Sequence, residues 1–123
     1  MKSIHDNVIN SYCVDFDDNS VIINSTTESG DSVKLLFSDA LAHKFEHAMK
    51  GSIILDVAES SVDKFMLDNK AVLEKGFYNG WPVDFKSLEE LKKVLVDGNY
   101  KYYILMSSYG LSGWLLAKGY NTY

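Results

Sequence analysis

Hydrophobic and polar positions alternate with a period of two at both ends of the chain and with a helical period in its middle. Between Val8 and Phe16 the alternation sets Val8, Asn10, Tyr12, Val14 and Phe16 on one face and Ile9, Ser11, Cys13 and Asp15 on the other. Aromatic and β-branched residues at that period predict a strand. Asp17-Asp18-Asn19 is a turn cluster, and the β-branched run from Val21 to Thr27 predicts the return strand of a hairpin. A second turn, Glu28-Ser29-Gly30-Asp31, leads to a third strand from Ser32 to Phe37. Ser38 to Lys50 fits two descriptions equally. Ala40, Leu41, Ala42 and Ala48 favour a helix stopped by Gly51, and an irregular strand fits as well. Ser52 to Val57 predicts a short apolar strand.

Helical spacing follows. Ser60 with Asp63 three residues later resembles an N-terminal cap, and Val62, Phe65, Met66, Asn69, Val72 and Leu73 then recur along one stripe, with Gly76 as the stop. Asn79-Gly80-Trp81-Pro82 is a loop, for which a trans Trp81–Pro82 bond is the default. Ser87-Leu88-Glu89-Glu90 fits a capping box, Leu88, Leu91 and Leu95 form the apolar stripe, and Gly98-Asn99 closes the second helix. Alternation then returns. Tyr102, Ile104 and Met106 oppose Tyr103, Leu105 and Ser107, a turn spans Tyr109 to Gly113, and Trp114 to Tyr120 is the return strand. The expectation is a single α+β domain over residues 1–123, ordered β-β-β-(α or β)-β-α-α-β-β. It has an antiparallel sheet of about five to six strands and two helices, or three if Ser38 to Lys50 is helical.

Composition narrows the function classes. At 46 % hydrophobic the chain of 123 residues can bury one core, which excludes disorder. Its apolar runs are far shorter than the roughly 18 residues that span a bilayer. The opening Met1-Lys2-Ser3-Ile4-His5-Asp6 has no apolar leader region, so the expected compartment is the cytoplasm. Cys13 is the only cysteine and lacks the flanking signature of a nucleophile. All 12 basic residues are lysine, and the net charge is −5. Arginine supplies the planar fork that grips phosphate and guanine. An acidic, arginine-free domain is therefore not expected to bind nucleic acid or an anionic membrane, and it suits a basic protein partner.

Three segments carry residue types suited to metal or acid–base chemistry. His43-Lys44-Phe45-Glu46-His47 is the H-x-x-E-H pattern that, on a helix, places two imidazoles over one Zn²⁺ with a carboxylate beside them. It lacks a third ligand at a recognisable spacing, so a solvated face is the expected reading. His5-Asp6 lacks the further ligands of a metal phosphohydrolase, and Asp15, Asp17 and Asp18 lack the spacing of a calcium loop. No phosphate loop, dinucleotide fingerprint or nucleophile elbow is present. The sequence thus nominates no catalytic residue, no metal site and no cofactor. Aromatics crowd the second half at Tyr78, Trp81, Tyr100, Tyr102, Tyr103, Tyr109, Trp114, Tyr120 and Tyr123. Half of them belong on a core face by alternation; Trp81, Tyr109 and Trp114 are the candidates for contact with a partner.

The chain also carries His5-Asp6-Asn7-Val8, the segment from Leu36-Phe37 to Phe45-Glu46, the strand Gly51-Ser52-Ile53-Ile54-Leu55-Asp56-Val57, and the ending from Tyr102-Tyr103-Ile104 through Ser107 to Lys118. In these it resembles a family of small bacterial proteins similar to the immunity-type proteins sometimes found beside toxin genes. The resemblance implies a non-catalytic binding role, in which the domain occludes a toxin, and it implies no active-site residues. A site for a small ligand between sheet and helices, near Trp81 and His43, is the alternative, and a structural homo-oligomer built on a free sheet edge is another.

Overall fold

The computed structural model describes residues 3–123, apart from the Tyr78 side chain. Eight strands form one antiparallel sheet: β1 (Val8–Asp15), β2 (Ser20–Thr26), β3 (Ser32–Ser38), β4 (Ala42–Glu46), β5 (Ile53–Ser60), β6 (Lys101–Tyr109), β7 (Ser112–Ala117) and β8 (Gly119–Thr122). Their order across the sheet is β4-β7-β6-β5-β1-β2-β3-β8. Three short helices, α1 (Val62–Asp68), α2 (Lys70–Gly76) and α3 (Leu88–Asp97), and a 3-10 turn at Phe77–Asn79 lie between β5 and β6. The fold is mostly sheet, which corrects the expected five to six strands and two helices.

The extra elements have local causes. The ambiguous segment after Ser38 is a strand, and β3 and β4 are two parts of one run bent at Asp39, whose φ is +49°. Their partner bends with them. β7 pairs with β4 from Ala42↔Leu116 to Glu46↔Ser112, and β8 pairs with β3 from Leu35↔Thr122 to Ser38↔Gly119. The helix expected up to Gly76 is divided at Asn69 (φ −116°, ψ 18°), whose side-chain amide donates to the Phe65 carbonyl at 3.1 Å. The cap of α1 is Ser61 rather than Ser60; its hydroxyl accepts from Lys64 N. The cap of α3 is Ser87, as expected. Trp81–Pro82 is cis rather than trans.

A register shift between Ile9 and Ser11 corrects the faces of β1. A bulge adds one residue to one strand and inverts the alternation beyond it. Ile9, opposite Ser25, and Tyr12, opposite Ile23, therefore share the inner face despite their odd and even numbers.

The sheet folds over on itself. β1 and β5 meet through the one register pair Val8↔Ile53, and this joint divides the sheet into two four-stranded leaves, β1-β2-β3-β8 and β4-β7-β6-β5. Phe37 on β3 and Tyr103 on β6 have three strands between them in the sheet, yet their rings lie 5.6 Å apart. Between the leaves lies an inner core that includes Ile23, Leu35, Phe37, Leu105 and Leu115. The helices cover the outer face of the second leaf, where Phe65, Leu73, Leu91 and Leu95 pack on Tyr102, Trp114 and Leu116. β6 serves both cores by alternation, Tyr102 and Ile104 outward and Tyr103 and Leu105 inward, as its pattern predicts. β7 does the same, which is why Trp114-Leu115-Leu116-Ala117 is apolar without interruption.

Gly113 stands where β7 crosses β4, at φ +156°, and a Cβ there would fall on the Lys44 carbonyl oxygen. Gly113→Val is expected to cost about 3 kcal/mol or more; a denaturant midpoint unchanged from the parent would contradict this close approach. In the inner core Tyr120 stacks on Phe37 at 4.8 Å, and its buried hydroxyl has no hydrogen-bond partner among the described residues. Burial pushes that phenol up to about 12. Removing an unsatisfied hydroxyl relieves its desolvation, so Tyr120→Phe should hold or raise stability, by about 1 kcal/mol. A loss of stability on urea unfolding would show that the hydroxyl is partnered.

Candidate functional site

The charge of this chain is unevenly distributed along the sequence. Residues 3 to 33 hold six carboxylates and no lysine, whereas the other residues hold eleven carboxylates and twelve lysines. These six fall at the two ends of the β1–β2 hairpin: Asp15, Asp17 and Asp18 at its tip, and Asp6, Glu28 and Asp31 at the opposite end, where Val8 pairs with Thr26.

The turn between β1 and β2 is built by its own first acid. Asp15 Oδ1 accepts from the backbone N–H of Asp17 at 2.9 Å and of Asp18 at 3.0 Å, an Asx-type closure. Asn19 completes the reversal at φ +52°, and its carbonyl accepts from Ala40 N at 2.7 Å. That bond ties the hairpin tip to the bend between β3 and β4 and brings Asp39 beside it. No lysine stands within ion-pair distance of Asp15, Asp17, Asp18 or Asp39 among the described residues. Phe16 projects from the same turn and is 83 % exposed. An aromatic ring this exposed within a ring of unpaired carboxylates has no role in either core.

A cleft of about 250 Å³ opens behind the hairpin. Its walls include Val14, Asp15, Phe16, Asn19 and Ser20 from the hairpin, Leu41 before β4, Ala42 and His43 at its start, and Trp81 from the loop before α3. The structure thus brings together His43 and Trp81, far apart in sequence, as the small-ligand alternative expects. Trp81 rests on Trp114 at 5.9 Å between ring centroids. His43 lies 5.2 Å from Phe45, and burial holds its imidazole below the usual histidine value of 6.5. A larger cleft of about 510 Å³ runs between β1 and the loop before β5, lined by Val8, Tyr12, Met49 and Ser52, with Lys50 its sole ionisable side chain besides the Tyr12 phenol.

The three aromatic candidates fall in different places. Trp114 is 7 % exposed and belongs to the outer core, against Phe65 at 5.1 Å. Trp81 is half-buried at the cleft. Tyr109 is 50 % exposed, five residues or about 17 Å along β6 from Ile104, the cross-strand partner of Trp114. They form no common surface. The Tyr78 side chain lies outside the described residues. By alternation Phe16 belongs to a strand face; D-F-D-D within a stretch devoid of lysine is the signal that sets it apart.

The H-x-x-E-H segment is not helical. His43 and Glu46 are on β4, where residues alternate sides, and the chain turns at His47, whose φ is +59°. Residues four apart on an extended chain are separated by about 13 Å, too far for two imidazoles on one ion. No group of three His, Cys, Asp or Glu suited to a metal ion occurs among the described residues. Likewise no helix among them is long and apolar enough to cross a membrane. His5 is exposed and ties the N-terminal segment to β5: its Nδ1–H donates to the Leu55 carbonyl at 2.8 Å, and Asp6 lies 3.4 Å from its Nε2. Cys13 is exposed on the outer face of β1.

These two environments push the imidazoles apart. The Leu55 carbonyl, then Asp6, raise His5 above 6.5, and burial lowers His43 below it. His5 therefore contributes stability that is full below 6.5 and lost as pH rises through its folded value. His43 contributes in the opposite sense, full above 6.5 and lost as pH falls toward its folded value. An NMR titration of the two imidazoles should place them on opposite sides of 6.5; both on one side would contradict the packing described for β4 or for the N-terminal segment. Compared with protein-family models, with curated proteins and with solved structures, the chain matches none.

Proposed function

We propose that this domain is a non-catalytic module that binds a basic protein partner, in the manner of the immunity-type proteins it resembles, through the acidic hairpin between β1 and β2. The observation that carries the reading is the segregation of charge. Asp15, Asp17 and Asp18 at the tip, Asp39 at the neighbouring bend and an 83 %-exposed Phe16 combine long-range attraction with an apolar anchor. Charge of one sign at an edge raises association rates with an oppositely charged protein, and a central aromatic supplies the contact that retains it.

A small-ligand site at the cleft of His43 and Trp81 has weaker support. At about 250 Å³ the cleft is smaller than the roughly 300–1,000 Å³ usual for ligand pockets. The larger cleft offers no carboxylate, imidazole or thiol for acid–base or nucleophilic chemistry.

The test is capture from the native lysate by the immobilised full chain, with Asp15→Asn, Asp17→Asn and Asp18→Asn combined as the control. Asparagine at 15 keeps an acceptor for the Asp17 and Asp18 N–H groups, so the turn survives while its charge is removed. The parent should retain one basic partner near one-to-one at low salt, and the variant should associate with it roughly tenfold more slowly or worse. Equal capture by both, or no stoichiometric basic partner, would refute the proposal.

A further inference from the structure

The sheet ends on one side at β4, whose only strand partner among the described residues is β7. In an antiparallel strand alternate residues direct their N–H and C=O groups away from the neighbour, so Ala42–Glu46 presents an unpaired backbone ladder. Proteins blunt such edges by keeping them short, with charged side chains, with proline or with a covering element. β4 is five residues long and has no proline, and its charged pair, Lys44 and Glu46 at 3.3 Å, stands in its second half, which leaves Ala42 and His43 without one.

The surroundings of this edge favour an extended occupant. The cleft beside Ala42 and His43 is lined by Trp81, Val14 and Phe16 together with Asp15, Asn19 and Ser20, so the side chains of an added strand meet both apolar and acidic groups there. At the Ala42 end the strand would run out toward Asp39 and the tip acids Asp15, Asp17 and Asp18, which lack cationic partners among the described residues. A cationic side chain is what that end of the groove lacks.

We infer that the free edge of β4 accepts an extended, lysine- or arginine-bearing segment of a protein partner as an added strand, its basic side chains facing the acidic hairpin. This deepens the partner-binding reading and rests on it. Main-chain hydrogen bonds to the edge supply affinity, and the carboxylates supply selection for a basic segment.

Two synthetic octapeptides of alternating lysine and valine test the inference, one unmodified and one N-methylated at every second backbone nitrogen. Binding to the full chain is followed by fluorescence anisotropy at low salt, and hydrogen exchange is followed at the amides of Ala42–Glu46. The unmodified peptide should bind at least tenfold more tightly than the N-methylated one and should slow exchange along β4 at least tenfold. Equal affinity for the two with unchanged exchange, lost in the triple asparagine variant, would overturn the added strand while leaving the acidic-hairpin reading standing. Binding of neither peptide would overturn it too, and the hairpin reading would then be decided by partner capture alone. Protection of β4 without peptide, rising with protein concentration, would assign the edge to a second copy of the chain and also overturn the proposal.

Discussion

The burial of both faces of β7 is the constraint on which the rest of the structure depends. Leu115 and Ala117 close the inner core, and Trp114 and Leu116 form the floor on which the helices pack. A strand that is apolar on both sides must be covered on both sides, since each exposed side chain of this size would forgo about 1.5–3 kcal/mol. The folded-over sheet covers one face and the helical layer covers the other. Gly113, at the start of the same strand, lets β4 come close enough to extend that covered region by one more strand.

This arrangement determines which parts of the molecule are left open. The helices are committed to the leaf β4-β7-β6-β5, so the outer face of β1-β2-β3-β8 has no covering layer among the described residues. The bend at Asp39 places the start of β4 beside the tip of the β1–β2 hairpin, through the bond from Ala40 N to the Asn19 carbonyl. A free strand edge, a half-buried indole, an exposed phenyl ring and four unpaired carboxylates are thereby gathered at one corner. Each is ordinary alone. The proposed function draws on their coincidence, because electrostatic attraction, apolar contact and main-chain pairing would act there on one partner.

The electrostatics also separate structural acids from available ones. Asp63, Asp68, Glu46 and Glu59 are matched by Lys92, Lys64, Lys44 and Lys101, and these exposed pairs contribute little to stability. The hairpin acids are used differently. Asp15 organises the turn through backbone N–H groups, and Asp17 and Asp18 are held outward by that same closure. Clustering like charges costs the folded state some self-repulsion, a cost that a binding surface can recover when a basic partner docks.

By itself the sequence determined the strands and helices whose side-chain period is uninterrupted. The two faces of β6, the cap of α3 at Ser87, the hairpin of β1 and β2 and the antiparallel pairing of neighbours were all legible, because they depend on local periodicity and turn chemistry. It also held the charge segregation that marks the candidate site. Tertiary structure decided the rest. Ser38 to Lys50 has helix and strand propensities in balance, and pairing with β7 made it β4. The bulge after Ile9 reset the faces of β1, and the bends at Asp39 and Lys118 made four strands from two runs. Whether Trp114 and Phe16 lie inside or outside was likewise a matter of what packs against them. Alternation identifies two faces of a strand, but only the layers placed on those faces decide which is dry and which meets solvent.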